Sequence, residues 1–291
     1  MPAPRPSDCG SHRTDTSLIS DALPVVAQRS NANCGAGPRH GSLNVPIVSC
    51  HFELREPPVP SDQRPAITHP VRGASVLVAG ATGGLGRALA AELDRRGAVL
   101  TLVGRSMDRL DAMAVPGQRL AVDLRTPDAC TRAVDAAVAH AGRLDVVVNA
   151  VGVVAFGSLA DLSIDAMEEL FLTNTFVPIM LAQAALARMT PGGAVVNISG
   201  VIAEQNLPGM AAYGASKAAV RSFDEALSRE ARRAGIRVLD ARPPHTETGL
   251  ADRPIEGRAP KMPTGLAPEL VAAAICDALE QGTTDLPSTS F

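Results

Sequence analysis

From Ala74 onward, short apolar runs alternate with stretches in which apolar residues recur every three or four positions. The run SVLVAG, ending at Gly80, precedes the helical pattern GRALAAELDRRG, which Gly97 closes. AVLTLVGR and the short helix MDRLDAMA follow, then QRLAVDL, the helix PDACTRAVDAAVAHAG and the run LDVVVNAVG. The second half repeats the plan with the long helix IDAMEELFLTNTFVPIMLAQAALARM, the run GAVVNISG and the helix AAYGASKAAVRSFDEALSREARRAG. IRVLDARPP, the helix APELVAAAICDALEQG and a short final strand in TDLPSTSF complete it. Continuous apolar runs of strand length suit strands buried on both faces, whereas a 3.6-residue period buries one side of a helix. Their alternation predicts repeated βαβ units, hence an α/β fold with one doubly wound parallel sheet between two helical layers. Ligands of such sheets bind outside the carboxyl ends of the strands. Gly80, Asp123, Asn149 and Ser199 all fall there.

Residues 1–72 lack any such period. MPAPRPSDCGSHRTDTS and REPPVPSDQRPAITHP are rich in Pro, Ser, Arg and Asp. That composition buries too little apolar surface to offset the entropy of ordering, so a largely disordered N-terminal arm over 1–72 and one folded domain over 73–291 are expected. LNVPIVSCHFEL is the arm's one apolar patch, and translation starting nearer Val71 is the alternative reading of the whole segment. Asp8, Asp15 and Asp21 argue against an organelle transit peptide.

Composition narrows the class. A chain of 291 residues can bury one large core or two small ones. With aromatic residues at 2%, that core must come from Ala, Val, Leu and Ile, which suits a buried parallel sheet. A formal net charge of −3 favours neither nucleic acid nor an anionic membrane as partner. No apolar run in the sequence reaches the length of a membrane span. Cys9, Cys34, Cys50, Cys130 and Cys276 form no CxxC pair, which reads as reduced thiols in the cytoplasm and predicts no metal site.

The candidate chemistry begins at VAGATGGLGRAL, between the first strand and the first helix. Gly80 permits the tight turn, Gly84 lets backbone approach a diphosphate, and Gly86 lets helix and strand pack closely. The helix N-terminus behind them offers unpaired N–H groups to phosphates, with Thr82 and Leu85 as further candidate contacts. The spacing Gly-x-x-x-Gly-x-Gly resembles that of the short-chain dehydrogenase/reductase family, with Ala79 where that family usually has Thr. The resemblance spans roughly residues 74–286 and implies a single-domain Rossmann fold that carries a nicotinamide cofactor. At the end of the second strand an acid would bind the ribose 2′-OH of NAD. This chain has Gly104 and Arg105 instead, and a guanidinium grips a 2′-phosphate, so NADP(H) is expected in preference to NAD(H). Gly83 adds no second basic residue. Asp123, followed by Leu124, resembles the family's adenine-binding aspartate, with capping of the next turn as its structural alternative. NAVG at 149–152 resembles the family's Asn-Asn-Ala-Gly, and Asn149 is expected to tie the central strands beside the cofactor.

Tyr213 is the only tyrosine, and Lys217 lies one helical turn beyond it on the same face. A phenol near its reference pKa of about 10 transfers protons poorly at neutral pH, and a nearby ammonium favours its ionised form. In the family that this sequence resembles, Tyr-x-x-x-Lys protonates a carbonyl oxygen while the cofactor delivers hydride to the carbon. The resemblance further implies that Lys217 holds the nicotinamide ribose, that Asn174 kinks its helix and holds a relay water, and that Thr248 binds the carboxamide. Pro244 replaces the Gly usual in that last segment, and His245 is a possible substrate contact. Where the family carries its catalytic serine this chain has Gly200, with Ser199 one residue earlier. Adjacent strand residues face opposite ways, so Ser199 meets a substrate carbonyl only if the strand end twists or bulges. Loss of that hydroxyl would cost roughly 10²–10³ in rate, the value of one oxyanion donor.

The expected activity is therefore NADP(H)-dependent interconversion of a carbonyl and a secondary alcohol, with Tyr213 as acid/base and Ser199 as the candidate carbonyl contact. A Rossmann module that senses NADP(H) without turnover is the alternative, motivated by Gly200. Sugar epimerases and dehydratases need a larger C-terminal substrate domain than this chain carries after its sheet. The substrate pocket is expected between Val153, residues 204–210 and residues 249–266, with an apolar lining that suits a hydrophobic ketone, steroid or acyl thioester. The resemblance also implies a homodimer or homotetramer, paired through the fourth and fifth large helices.

Overall fold

The computed structural model describes residues 71–291, so the expected arm lies, but for its last two residues, outside the described residues. Val71 is fully buried and Gly73 N–H donates to Gly97 O at 2.8 Å. The folded part therefore begins no later than Val71, two residues before the expected boundary.

Seven parallel strands form one sheet: β1 (Ser75–Ala79), β2 (Val99–Gly104), β3 (Gln118–Ala121), β4 (Val146–Asn149), β5 (Ala194–Ile198), β6 (Arg237–Ala241) and β7 (Asp285–Leu286). Their order is β3-β2-β1-β4-β5-β6-β7. The chain starts in the middle, winds outward to β3, then crosses back to β4 and winds the other way. Between β1 and β4 the winding reverses, and a crevice opens there at the strand ends.

Helices α1 (Gly84–Arg95), α2 (Met107–Asp111), α3 (Pro127–Ala141), α4 (Ile164–Phe171), α5 (Val177–Leu186), α6 (Ala211–Ala231) and α7 (Pro268–Gln281) connect the strands. Alternate strand residues feed two cores. Val76, Val78, Val146 and Val148 pack beneath α1 and α7, while Leu77, Ala79, Val147, Val195 and Val238 pack beneath α3, α5 and α6. Ser106, Thr126 and Ser163 each accept an N–H from the first turn of α2, α3 and α4, as N-caps do. Helix α1 differs: its N-cap is Gly83, with no side-chain cap, so its first amides remain available to a ligand.

The long helix expected over IDAMEELFLTNTFVPIMLAQAALARM is continuous from Ile164 to Leu186 but widens into a π-helical turn, Leu172–Phe176. By length and mean hydropathy (1.3) this helix could cross a membrane. The expectation of no membrane-length run is corrected here: residues 170–187, between Glu169 and Arg188, carry no charge. Leu170, Val177, Leu181, Ala182 and Ala185 of that helix are core residues.

Candidate active site

A cavity of about 400 Å³ opens at the carboxyl ends of the strands, running from Arg105 and Arg109 past Tyr213 to Met262. Its floor is the first βα turn. A Cβ on Gly80 would lie 2.8 Å from Ala150 O, and one on Gly84 would lie 2.4 Å from Thr248 O. A Cβ on Gly86 would lie 2.1 Å from Gly80 O, so the third glycine closes helix onto turn, behind the cavity wall. Gly84 keeps room for the Thr248 backbone as well as for a ligand, a second role that spacing alone does not reveal. Gly80, Thr82, Gly84 and Leu85 border the cavity.

At the end of β2, a Cβ on Gly104 would meet the Thr82 side chain at 3.1 Å. Arg105 borders the cavity and is exposed. Two further arginines, unforeseen in the sequence, stand beside it. Arg109 follows in α2 and donates to Thr82 O at 2.8 Å. Arg125 grips Asp123 at 2.6–3.0 Å and reaches Glu169 at 2.8 Å. The Arg125 guanidinium holds the Asp123 carboxyl below its usual range. Arg109 lies in α2 and Arg105 before its N-cap Ser106, so no helical period links them, and nothing local pointed to Arg125 either. Asp123 and Leu124 border the cavity, but Asn149 does not. Its Nδ2 donates to Asn197 Oδ1 at 3.3 Å and its Oδ1 accepts from Val151 N–H at 3.2 Å. Asn149 thus ties β4 to β5, as expected, and its side chain is spent on that task instead of facing a cofactor.

Tyr213 and Lys217 both border the cavity, one turn apart on α6. Lys217 is buried and donates to Ile198 O at 2.8 Å. Burial lowers the ammonium to about 8, opposed by the charges of Asp240 and Asp224. Burial also raises the Tyr213 phenol to about 12. The phenol is expected to be lowered by the ammonium together with the positive nicotinamide ring of oxidised cofactor; in the chain by itself desolvation of the phenolate prevails. Asn174 lies in the π turn, fully buried. Its Oδ1 accepts from Val153 N–H at 2.9 Å, and its Nδ2 donates to Val153 O and to Ser216 Oγ, both at 3.0 Å. The side-chain amide thereby pairs with the loop after β4 as a neighbouring strand would.

Ser199 departs from expectation. The amides of Ser199 and Gly200 both donate to Ala241 O, at 3.1 and 3.2 Å, which is the doubled pairing of a bulge. Ser199 borders the cavity, but it is fully buried and its hydroxyl is taken up by Asp240 on β6. The bulge reorients the backbone at Gly200, and a carbonyl contact from Ser199 requires its hydroxyl to leave Asp240.

Thr248 borders the cavity, and so does His245, whose Nε2 lies 3.5 Å from Glu247. Val153, Phe156, Leu207, Met210, Leu250 and Met262 form the apolar end of the cavity. Glu204, expected in that wall, turns away to pair with buried Arg242.

The uncapped glycine turn, the switch-point cavity and the Tyr213–Lys217 face coincide in one site. The family model described as short chain dehydrogenase matches residues 74–258. The chain belongs to the short-chain dehydrogenase family. Dehydrogenase/reductase SDR family member 7B of Bos taurus is 33% identical over 196 residues, covering 62% of this chain and 60% of that protein. Gluconate 5-dehydrogenase of Gluconobacter oxydans is 30% identical over 200 residues, covering 64% of this chain and 78% of the relative. A crystal structure of a short chain dehydrogenase from Burkholderia cenocepacia in complex with NADP superposes with a TM-score of 0.66 at 26% identity, covering 76% of this chain and 98% of that one. This short-chain dehydrogenase is accordingly an oxidoreductase acting on a CH–OH/C=O pair.

Proposed function

We propose that the protein is an NADP(H)-dependent oxidoreductase that interconverts a hydrophobic carbonyl and its secondary alcohol, with Tyr213 as the acid/base. The observation that carries this reading is the stacking of Tyr213 and Lys217 on one wall of a cavity whose opposite end is the glycine turn and Arg105.

The residues present fit a dinucleotide. The three glycine positions leave no space for a side chain, the α1 N-terminus is uncapped, and the 2′-phosphate end carries exposed Arg105. Gly80, Thr82, Gly84 and Leu85 would hold the diphosphate, with Asp123 and Leu124 at the adenine and Arg105 at the 2′-phosphate. Lys217 and Tyr213 would hold the nicotinamide ribose and Thr248 the carboxamide. When bound, the nicotinamide supplies or accepts the hydride.

The chain's own part is the proton and the orientation. Tyr213 gives its phenolic proton to the substrate oxygen in reduction and takes it back in oxidation. Burial keeps the phenol protonated, and the positive charge of Lys217 and of oxidised cofactor would bring its proton within reach of transfer. Lys217, as ammonium, stabilises the phenolate left behind. Asn174 holds the Val153 turn in place, and the apolar wall excludes water from the reacting oxygen. With the Ser199 hydroxyl paired to Asp240, Tyr213 is the donor that would polarise the carbonyl oxygen. A homodimer built on the 164–186 helix accords with Ile164 and Phe176, both more than half exposed there.

Arg105→Asp tests the cofactor end. Removing a charge-assisted contact to a phosphate, worth about 1.5–3 kcal/mol, should raise the KM for NADPH roughly 10–100-fold and leave NADH nearly unchanged. Equal losses for both cofactors would contradict the assignment.

A further inference from the structure

The segment after β6 folds back over the first βα turn. Thr248 O lies 2.4 Å from where a Cβ on Gly84 would stand, so the backbone of this segment packs on the first turn of α1. Beyond Thr248 the chain turns at Gly249, φ 68°, into a tight loop in which Arg253 N–H donates to Leu250 O at 3.1 Å. Two residues later it is tied to the loop after β4. Ile255 N–H donates to Val154 O at 2.8 Å, and Phe156 N–H donates to Glu256 O at 3.0 Å. The Glu256 carboxylate accepts the backbone N–H of Ser163 at 2.8 Å and also its hydroxyl, at the N-cap of α4. Residues 248–257 thus form a strap anchored at both ends, with Arg253 between the anchors.

Arg253 is exposed and borders the cavity. Its guanidinium is held by backbone carbonyls: Nε donates to Gly249 O at 2.8 Å, and Nη2 lies 3.5 Å from Thr248 O. The guanidinium and the first turn of α1 therefore meet at one carbonyl, that of Thr248. Arg125, which also borders the cavity, is by contrast taken by Asp123 and Glu169. Arg105 and Arg109 stand at the end of β2, and Lys217 is engaged by Ile198 O. Arg253 is thus the cation that the strap brings to the glycine turn. A helix N-terminus presents its amides to a diphosphate from one side, and a guanidinium matches phosphate oxygens with paired N–H donors.

We propose that Arg253 is a cofactor-binding residue: from the strap, its guanidinium covers the face of the diphosphate that the glycine turn leaves open. The proposal rests on the reading of the cavity as a dinucleotide site and adds a contact from the wall opposite the glycines. The diphosphate is common to both nicotinamide cofactors, so Arg253 serves NADPH and NADH alike, whereas Arg105 at the 2′-phosphate end tells them apart. The two arginines therefore divide the work: one supplies affinity and the other selects.

The test is direct binding, measured by calorimetry on the full chain with NADPH, NADH and ADP-ribose. ADP-ribose keeps the diphosphate and lacks both the 2′-phosphate and the nicotinamide. Arg253 is exposed, so Arg253→Gln removes its charge without opening the core. That variant should weaken all three ligands by a similar factor, roughly 10-fold or more, the worth of a charge-assisted contact to a phosphate. Arg253→Lys, which keeps the charge, should recover part of the loss for all three. Arg105→Asp, measured alongside, should weaken NADPH alone. A loss in Arg253→Gln confined to NADPH overturns the proposal and moves the contact to the 2′-phosphate. A loss that spares ADP-ribose overturns it in favour of the nicotinamide half. Unchanged affinity for all three also overturns it, and a raised KM confined to acidic ketones would then assign Arg253 to substrate. A parent chain that binds none of the three overturns the dinucleotide reading itself, and this proposal with it.

Discussion

Gly200 sits at φ 80°, ψ 164°, a region that residues with a Cβ occupy only under strain of about 1–3 kcal/mol. Placing the family's serine there therefore does not simply return a missing hydroxyl. Gly200→Ser should lower unfolding stability by about 1–3 kcal/mol in chemical denaturation and leave kcat no higher than in the parent chain. A folded, unstrained variant with raised kcat would show that the bulge is dispensable. The pH dependence also belongs to single residues. Lys217 must carry its charge, and burial brings its proton loss down to about 8. Tyr213 keeps its proton to about 12 and so does not limit reduction on the alkaline side. As pH rises through about 8, kcat/KM for carbonyl reduction should fall, because the ammonium is lost while the acid is still protonated. A profile flat to pH values where free lysine titrates would place the controlling charge elsewhere.

At the scale of elements, the alternation of apolar runs and helical periods was enough to find the seven strands and their flanking helices. The central strands, buried on both faces, leave an unbroken apolar signature, and the edge strands β3 and β7 followed from the alternation. The glycine turn and Tyr213–Lys217 were legible for a similar reason: each depends on spacing within one element or one turn. What the sequence could not disclose depends on partners far along the chain. The withdrawal of Ser199 to Asp240 spans 41 positions, and the Asn174 pairing with Val153 spans 21. The π turn is likewise invisible to a 3.6-residue pattern, since Leu172–Phe176 is apolar and polar in the same proportions as an α turn would be. Arg242 shows what such long-range partners contribute. It joins β6 to β7 through Asp285 and to the turn after β5 through Glu204, while covering Asp240. Arg242→Met should cost about 3–5 kcal/mol of unfolding free energy by leaving Asp240 buried and unpaired. Asp285→Asn, at the exposed end of the network, should change it by less than about 1 kcal/mol. Equal effects would mean that burial of Asp240 is not what the arginine offsets.

For the whole molecule, the winding reversal between β1 and β4 gathers the glycine turn, the arginines, Asn174 and the Tyr213–Lys217 face around one cavity. In the sequence these groups are spread over more than a hundred positions, from Gly80 to Lys217, and the doubly wound topology brings them together. The same topology lays Asn197 and Asp240 under α6, where Asn197 meets Asp224 of that helix and Asp240 meets Ser199 and Arg242. In the proposed mechanism Tyr213 is the proton donor of this short-chain dehydrogenase cavity, with the Ser199 hydroxyl held by Asp240. The most direct measurement is NADPH oxidation by the full chain against a panel of hydrophobic ketones, with Tyr213→Phe assayed beside it. Turnover by the parent chain that is abolished in Tyr213→Phe, with NADPH binding retained, is the predicted result. Binding of NADPH with no turnover of any ketone, or turnover that survives Tyr213→Phe, would contradict it.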